Sequence, residues 1–119
     1  MEELTKTEER IMQVFWKLKK AFVKEVIANL PDDPKPPYNT ISSVVRLLEQ
    51  KGYLSHKAYG KSYQYFPLVT KSAYRKQYLQ KILSGYFENS PASLLSFLVR
   101  EEGLSEEECE ALKKIIDQS

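Results

Sequence analysis

The spacing of the apolar residues changes at Gly52, and this change constrains the fold more than any other feature of the chain. Before Gly52, one stripe has the i, i+3, i+4, i+7 spacing of a buried helix face, and it consists of Ile41, Val44, Val45 and Leu48. After it, residues 53–58 and 62–66 are rich in tyrosine and alternate, as strands do. The segment YGK at 59–61 supplies the glycine of a hairpin turn. The sequence therefore predicts a helix with Gly52 at its C-cap, followed by a two-stranded hairpin.

Two further helices are predicted before this one. Thr5 and Glu8 fit a capping box, in which each side chain binds the other residue's amide. An apolar stripe follows them and predicts a first helix over residues 6–18. A second, shorter helix is marked by Val23, Val26, Ile27 and Leu30. Pro31 ends it, because proline cannot continue a helix.

The segment PDDPKPP, residues 31–37, has four prolines in seven positions. It cannot be helix interior or central strand, so it predicts a stiff connection that sets the direction of the next helix. Two starts of that helix fit the residues. Pro37 can be the first helical residue, where its missing N–H is not needed. Alternatively, Asn39 is the N-cap.

Three more helices are predicted after the hairpin. Thr70 is a suitable N-cap for the first of them. Ser90 followed by Pro91 opens the second, because proline is favoured at the first helical position. Ser105 and Glu108 form another capping box at the start of the third. The predicted fold class is mainly α with a small β hairpin.

The net charge of +2 conceals an asymmetry. Residues 1–75 carry 13 Lys/Arg and 8 Asp/Glu, a net of +5, whereas residues 76–119 carry 5 and 8, a net of −3. Between Asn39 and Arg75, Glu49 is the only acidic residue among six basic ones. A basic N-terminal part indicates contact with a polyanion, although a solvated face can have the same composition.

Three helices followed by a hairpin is the order of a winged helix, in which the third helix enters the DNA major groove. One face of that helix packs on the core, and the other needs short donors and acceptors plus an arginine to contact base edges. Residues of these types are Asn39, Thr40, Ser42, Ser43 and Arg46. For Asn39, a capping role and a base contact are equal alternatives.

The hairpin supplies a second candidate DNA contact. Near its tip, cations and a tyrosine hydroxyl can bind phosphate, and these residues are Lys57, Tyr59 and Lys61. His56 is interpreted as a surface residue of the hairpin. Tyr63 and Phe66 are interpreted as strand residues that pack on the core.

An enzyme is disfavoured by the residue types. The chain has one histidine, one cysteine, no HExxH motif and no glycine-rich phosphate loop. We therefore expect no catalytic residue, no metal site and no cofactor. No apolar run approaches the ~18 residues of a membrane span, and no signal peptide precedes Leu4. We expect a soluble cytoplasmic protein without membrane insertion.

Several motifs resemble the penicillinase repressor family of bacterial winged-helix repressors. The most specific is GKSYQYFP at residues 60–67. The others are Leu4-Thr5 with Glu8 and Trp16, Asn39-Thr40-Ile41 with Arg46-Leu47, and Lys51-Gly52-Tyr53-Leu54. The resemblance covers essentially the whole chain.

The resemblance implies a homodimer that represses transcription by binding double-stranded operator DNA. Residues 1–69 would form the DNA-binding domain and residues 70–119 the helical dimerisation domain. The sequence agrees, because three short helices alone enclose little core and need a partner for their apolar stripes. The predicted dimerisation residues are Leu79, Ile82, Leu83, Tyr86, Leu94, Leu95, Leu98, Leu112 and Ile116.

The resemblance also implies inactivation by proteolysis. In the family, a membrane-bound sensor metalloprotease responding to a β-lactam leads to cleavage between Asn and Phe in the fifth helix. The aligned pair here is Ser96 and Phe97, which keeps the Phe and not the Asn. Copper-sensing relatives carry a cysteine cluster, and Cys109 alone excludes that type.

Two other functions fit a winged helix. A protein-interaction module without DNA binding would have no charge asymmetry and a more apolar exposed face on the third helix. A small-molecule-responsive repressor would have a pocket at the dimer junction, and the C-terminal half does not distinguish it from the protease-controlled type.

Overall fold

The structure is a computed structural model that describes the backbone of residues 2–117 and the side chains of residues 2–114. Within this part, six helices and three short strands follow one another along the chain. They are α1 (Lys6–Leu18), β1 (Ala21–Phe22), α2 (Val23–Ala28), α3 (Tyr38–Gln50), β2 (Leu54–Tyr59), β3 (Ser62–Pro67), α4 (Lys71–Tyr86), α5 (Pro91–Glu102) and α6 (Glu106–Asp117). The chain divides into two compact units, the first ending at Lys71 and the second beginning at Ser72.

The first unit is a winged helix, as predicted. β2 and β3 pair antiparallel from Leu54 opposite Pro67 to Tyr59 opposite Ser62. We call β2, β3 and their turn the wing. The turn is the two residues Gly60 and Lys61, and Gly60 has a φ of +64°, which glycine adopts without steric cost.

A third strand was not predicted. β1 pairs antiparallel with β3, with Ala21 opposite Tyr65, so the strand order in the sheet is β1-β3-β2. A two-residue strand is too short to show alternation, so the sequence pattern carries no sign of it. β1 turns directly into α2, whose first turn is capped by Glu25 Oε1 accepting a hydrogen bond from the Phe22 amide at 2.8 Å.

The core of the first unit is formed by the apolar stripes of α1 and α3 against α2 and the base of the wing. Its buried residues are Ile11, Met12, Val14, Phe15, Ala21, Val23, Val26, Leu30, Ile41, Val45, Leu48, Tyr53, Leu54 and Tyr65. Leu30 is buried as predicted, but α2 ends at Ala28, so Leu30 packs from the connection and not from the helix.

The prediction for the start of α3 was wrong in both forms. Pro37 is the N-cap, with a φ of −59° and a ψ of 146°, and not the first helical residue. Asn39 is the second helical residue and not the N-cap. The predicted C-cap of α3 was one residue off, because Lys51 is the C-cap and Gly52 follows it with a φ of +86°.

The chain reverses at Gly52 through a pair of hydrogen bonds. The Gly52 amide donates to the Glu49 carbonyl at 3.0 Å, and the Tyr53 amide donates to the Leu48 carbonyl at 3.0 Å. This is the Schellman arrangement, which satisfies the last carbonyls of a helix. Because Tyr53 and Leu48 are both buried, the motif also anchors the first residue before the wing in the core.

A buried carboxylate links the start of α1 to the end of α3. Glu8, 2% exposed, completes the predicted capping box: its Oε1 accepts from the Thr5 amide at 2.8 Å, and its amide donates to the Thr5 hydroxyl at 3.2 Å. The same Oε1 lies 2.7 Å from Lys51 Nζ. Burial alone would raise the pKa of Glu8, but the hydrogen bonds from Lys51 and Thr5 together outweigh it and lower that pKa.

The second unit consists of α4, α5 and α6. Ser90 caps α5 by accepting from the Ser93 amide at 3.1 Å, and Pro91 is the first helical residue, as predicted. Ser105 and Glu108 form the predicted capping box at α6, with both amide contacts at 3.2 Å. Among its described side chains, the buried apolar ones are Leu83 and Leu95. As far as side chain 114, this unit therefore encloses little core of its own.

Candidate nucleic-acid interface

The two faces of α3 differ as the sequence predicted. Ile41, Val45 and Leu48 are buried, and Val44 is half-buried. On the other side Ser42 is half-buried, and the exposed polar side chains are Asn39, Thr40, Ser43 and Arg46. All five predicted contact residues of α3 are therefore accessible in this unit.

A groove joins this face of α3 to the wing and to the start of α2. Ser42 and Arg46 line it from α3, and Tyr59 and Lys61 line it from the wing. The other lining residues are Phe22, Val23, Lys24, Glu25, Tyr38, Ser62, Tyr63 and Tyr65. Four of the eight predicted DNA contacts thus share one concave surface, and Asn39, Thr40, Ser43 and Lys57 lie outside its lining.

Hydrogen bonds along α3 distinguish its polar side chains. The Ser43 hydroxyl donates to the Asn39 carbonyl one turn earlier at 2.9 Å, which uses its proton within the helix. Arg46 Nη2 lies 3.5 Å from the Ser43 Oγ, at the outer limit of a hydrogen bond. The guanidinium of Arg46 therefore keeps most of its donors for a ligand.

The tip of the wing is held by aromatic contacts. The rings of Tyr59 and Phe22 meet edge to face with centroids 6.0 Å apart. Lys57 Nζ lies 5.5 Å from the centroid of the Tyr59 ring, within cation–π range. Lys61 is exposed in the turn. Lys57 and Lys61 therefore place two positive charges at the tip.

The base of the wing carries a contact that was not predicted. His56, assigned to the surface, is partly buried, and its Nδ1 lies 2.5 Å from Glu49 Oε2 of α3. Its ring stacks on Tyr63 with centroids 4.2 Å apart and an angle of 20°. The prediction for Tyr63 was wrong, because it is 47% exposed near the tip, whereas Phe66 is half-buried.

The carboxylates near the groove are already engaged. Glu25 binds the Phe22 amide, and Glu49 pairs with His56. Burial, and then the nearby Glu49 charge, raise the pKa of Tyr65, so its phenol stays neutral. The four exposed cations Lys24, Arg46, Lys57 and Lys61 outnumber these two carboxylates, so the net charge of this surface is positive, which is suited to phosphate.

Lys24, Phe22, Tyr38 and Tyr63 were not predicted as parts of the site. Lys24 and Phe22 reach the groove because β1 pairs with β3, and this pairing has no signal in a two-residue segment. Tyr38 was overlooked because the competing cap at Asn39 would start α3 after it. An aromatic residue directly after the proline segment is the signal that was available for it.

The predicted dimerisation residues differ in exposure within the second unit. Leu83 and Leu95 are buried, and Tyr86 is 83% exposed. The half-buried ones are Leu79, Ile82, Leu94, Leu98 and Leu112. Ile116 lies outside the residues whose side chains are described.

The predicted cleavage pair lies in the middle of α5. Ser96 is exposed, and Phe97 is 44% exposed, with its ring meeting Phe87 at a centroid distance of 5.6 Å.

Across the described residues, no group of three or more His, Cys, Asp or Glu side chains could hold a metal ion. Within residues 2–117, no helix is both long enough and apolar enough to cross a membrane.

The chain is similar to known repressors over nearly its whole length. A profile of the family described as penicillinase repressor matches residues 4–118. Methicillin resistance regulatory protein MecI of Staphylococcus aureus (strain N315) is 28% identical over 119 residues, covering 97% of this chain and 94% of that protein. The penicillinase repressor of Bacillus licheniformis is 25% identical over 116 residues, covering 98% and 91%. The solution structure of the DNA-binding domain of the repressor BlaI has a TM-score of 0.53 and 29% identity, covering 60% of this chain and 88% of that one.

Proposed function

Because the chain belongs to the penicillinase repressor family, it is a DNA-binding transcriptional repressor, and we propose that it acts as a homodimer on operator DNA and is switched off by proteolysis. The observation that carries the DNA-binding part is the groove between α3 and the wing. It combines exposed polar side chains on a helix with cations on a hairpin, and its neighbouring carboxylates are engaged.

The proposed complex has α3 in the major groove. Arg46 can bind guanine with two donors, Asn39 can bind adenine, and Thr40 and Ser42 can bind a base or a phosphate. Ser43 contributes as an acceptor, since its proton is used within the helix. The wing lies along the backbone, where Lys57, Tyr59 and Lys61 contact phosphates.

Dimerisation through α4, α5 and α6 is proposed from the exposed apolar surface of the second unit. Tyr78, Tyr86, Phe97 and Val99 are each more than 40% exposed there. Among its described side chains this unit buries two apolar ones, so covering the exposed apolar residues against a second copy would stabilise it. A dimer also presents two winged helices to two half-sites about one helical turn, ~34 Å, apart or a multiple of it.

Proteolysis at Ser96–Phe97 is the proposed release step, with a membrane sensor metalloprotease of the β-lactam-responsive type acting upstream. Both side chains are accessible, but the bond lies inside a helix, so cleavage requires local opening of α5. A cut there divides the apolar face of α5 between two fragments. The dimer would then dissociate, and each winged helix would lose the ~10²–10⁴-fold gain that tethering provides. Control of an antibiotic-resistance gene follows from this proposal.

Selection from a pool of random duplexes with the full chain tests the function. We expect enrichment of a sequence with two related half-sites, and hydroxyl-radical footprinting should then show protection of both. Failure to enrich any sequence, with the protein folded and dimeric, would contradict sequence-specific repression.

A further inference from the structure

The wing needs support beyond its own hydrogen bonds. A two-stranded hairpin alone is marginally stable in water, and β1 pairs with β3 only at Tyr65 and Gln64, so the tip of the wing has two strands. Tyr65 at the base of the wing is 4% exposed, whereas Tyr63 and Tyr59 toward the tip are each almost half exposed. The tip therefore extends away from the core that fixes the base, and its position depends on the ring contact of Tyr59 with Phe22 and on contacts between the base and the tip.

Glu49 and His56 provide such a contact. Glu49 belongs to the last turn of α3, three residues after Arg46, and the i, i+3 spacing puts both on neighbouring positions of one side of the helix. His56 belongs to β2 and pairs in register with Tyr65, whose ring also meets Phe15 of α1 edge to face at 6.5 Å. The 2.5 Å contact between His56 Nδ1 and Glu49 Oε2 therefore connects α3 to the wing. It lies beside the buried Tyr65, where the exposed part of the wing begins.

The imidazole is itself held in place. Tyr63 stacks on one side of it, and the Tyr65 ring lies 5.4 Å away at an angle of 54°. The ring plane is therefore fixed by two tyrosines of β3 while Nδ1 faces α3. The pairing with His56 also matters for the charge of the surface. Glu49 is the sole acidic residue between residues 39 and 75, and its carboxylate would repel phosphate if it were left exposed.

We propose that Glu49 and His56 are positioning residues that fix the angle between α3 and the wing, so that Arg46 and the wing lysines engage one duplex at the same time. This inference rests on the proposed DNA binding. The pair touches no base or phosphate. It lowers the entropic cost of ordering the wing on the duplex, which is how preorganisation increases affinity.

The test is a thermodynamic cycle on operator affinity, measured by fluorescence anisotropy with the full chain. His56→Ala and Glu49→Gln should each weaken binding about three- to tenfold, the range of one partly exposed, charge-assisted contact. In a Lys57→Ala/Lys61→Ala background the same substitutions should have a much smaller effect, because the Tyr59 hydroxyl is then the one proposed wing contact left that depends on the position of the wing. Ser55→Ala, at the neighbouring half-buried position, is the matched control and should leave the affinity unchanged.

A second readout is the salt dependence. Displacement of the wing should flatten the slope of log K against log salt by about 0.9 for each phosphate that the wing no longer binds, although neither Glu49 nor His56 binds a phosphate itself. The exchanged pair Glu49→His/His56→Glu should restore both the affinity and the slope. Melting temperatures of all variants, followed in parallel, identify any that fail to fold.

The possible outcomes separate the two proposals. If Lys57→Ala/Lys61→Ala leaves affinity unchanged, the proposed wing contacts are wrong and the positioning role is overturned with them. If the lysine variant weakens binding but His56→Ala and Glu49→Gln do not, the positioning role alone is overturned. Equal losses in both backgrounds also overturn it, because the pair would then act independently of the wing.

Discussion

Lys51→Met should destabilise the first unit strongly, because it leaves the Glu8 carboxylate buried without its ammonium partner. Lys51 Nζ lies 2.7 Å from Glu8 Oε1, and the two side chains are 16% and 3% exposed. Removing one partner of a buried pair costs ~3–5 kcal/mol. The Glu8 carboxylate keeps the hydrogen bond from the Thr5 amide and the favourable end of the α1 dipole, so we expect about 2–3 kcal/mol. For a unit of this size the melting temperature should fall by ~10–20 °C.

The stability loss caused by Lys51→Met should depend on pH. In the wild type the lowered pKa of Glu8 stabilises the fold at any pH above the unfolded value of about 4.5, and this contribution is lost as the pH falls through the folded value. In Lys51→Met, burial is no longer outweighed, so the pKa of Glu8 should rise. The stability deficit of the variant should therefore be largest near neutral pH and should shrink in acid, where a protonated Glu8 needs no cation.

Trp16 is a convenient probe for this experiment. It is the only tryptophan of the chain, and its indole N–H donates to the Val69 carbonyl at 2.9 Å within the first unit. Urea unfolding followed by its fluorescence, at several pH values, gives the free energy of unfolding for this unit. Lys57→Met, which removes an exposed lysine, is the control and should cost little. A deficit below ~0.5 kcal/mol, or one that is constant between pH 4 and pH 7, would refute the reasoning.

The remaining predictions concern assembly, DNA contacts and release. A fragment of residues 1–71 should sediment as a monomer and the full chain as a dimer, and a dimeric fragment would contradict the assignment of the interface. Arg46→Ala should cost roughly 1–3 kcal/mol on the selected operator and relax preference at one base pair, as measured by anisotropy. Lys61→Ala should weaken binding to all sequences alike and flatten the salt slope by about 0.9; a sequence-dependent loss would instead make Lys61 a base contact. Mass spectrometry of protein from induced cells should find a new terminus at Phe97, and intact chain with an active promoter would favour small-molecule control.

The elements that were predicted well are those whose signals lie within a few residues. The capping box of Thr5 and Glu8 fixed the start of α1, and the Ser90-Pro91 pair fixed the start of α5. Gly60 predicted the turn of the wing correctly, because the turn needs a positive φ at that residue itself and so its signal is also local. The alternation of tyrosines identified β2 and β3 to within one residue at each end.

The features that were missed depend on residues far apart in the sequence. β1 forms because Ala21 pairs with Tyr65, and a two-residue segment carries no sequence signal for a pairing partner more than forty positions away. The pairing of His56 with Glu49 depends on the angle at which the wing leaves α3. Tyr63 was assigned to the core because its alternation matched that of Tyr65, whereas the sheet extends past the core before it reaches Tyr63. Periodicity indicates which face a side chain is on, but not where the core ends.

The Schellman turn at Gly52 makes the connection between α3 and β2 intolerant of changes in length. Only three residues separate the last helical residue from the first strand residue, and the Tyr53 between them is buried. One inserted residue would shift the alternation of β2, so that Leu54 would face solvent and Lys57 would face the core. At the wing tip, two residues can be added to the turn without changing which side chains face inward. Engineered variants with altered reach along DNA should therefore carry their extra residues at Gly60 and Lys61, in even numbers, and none at the helix end.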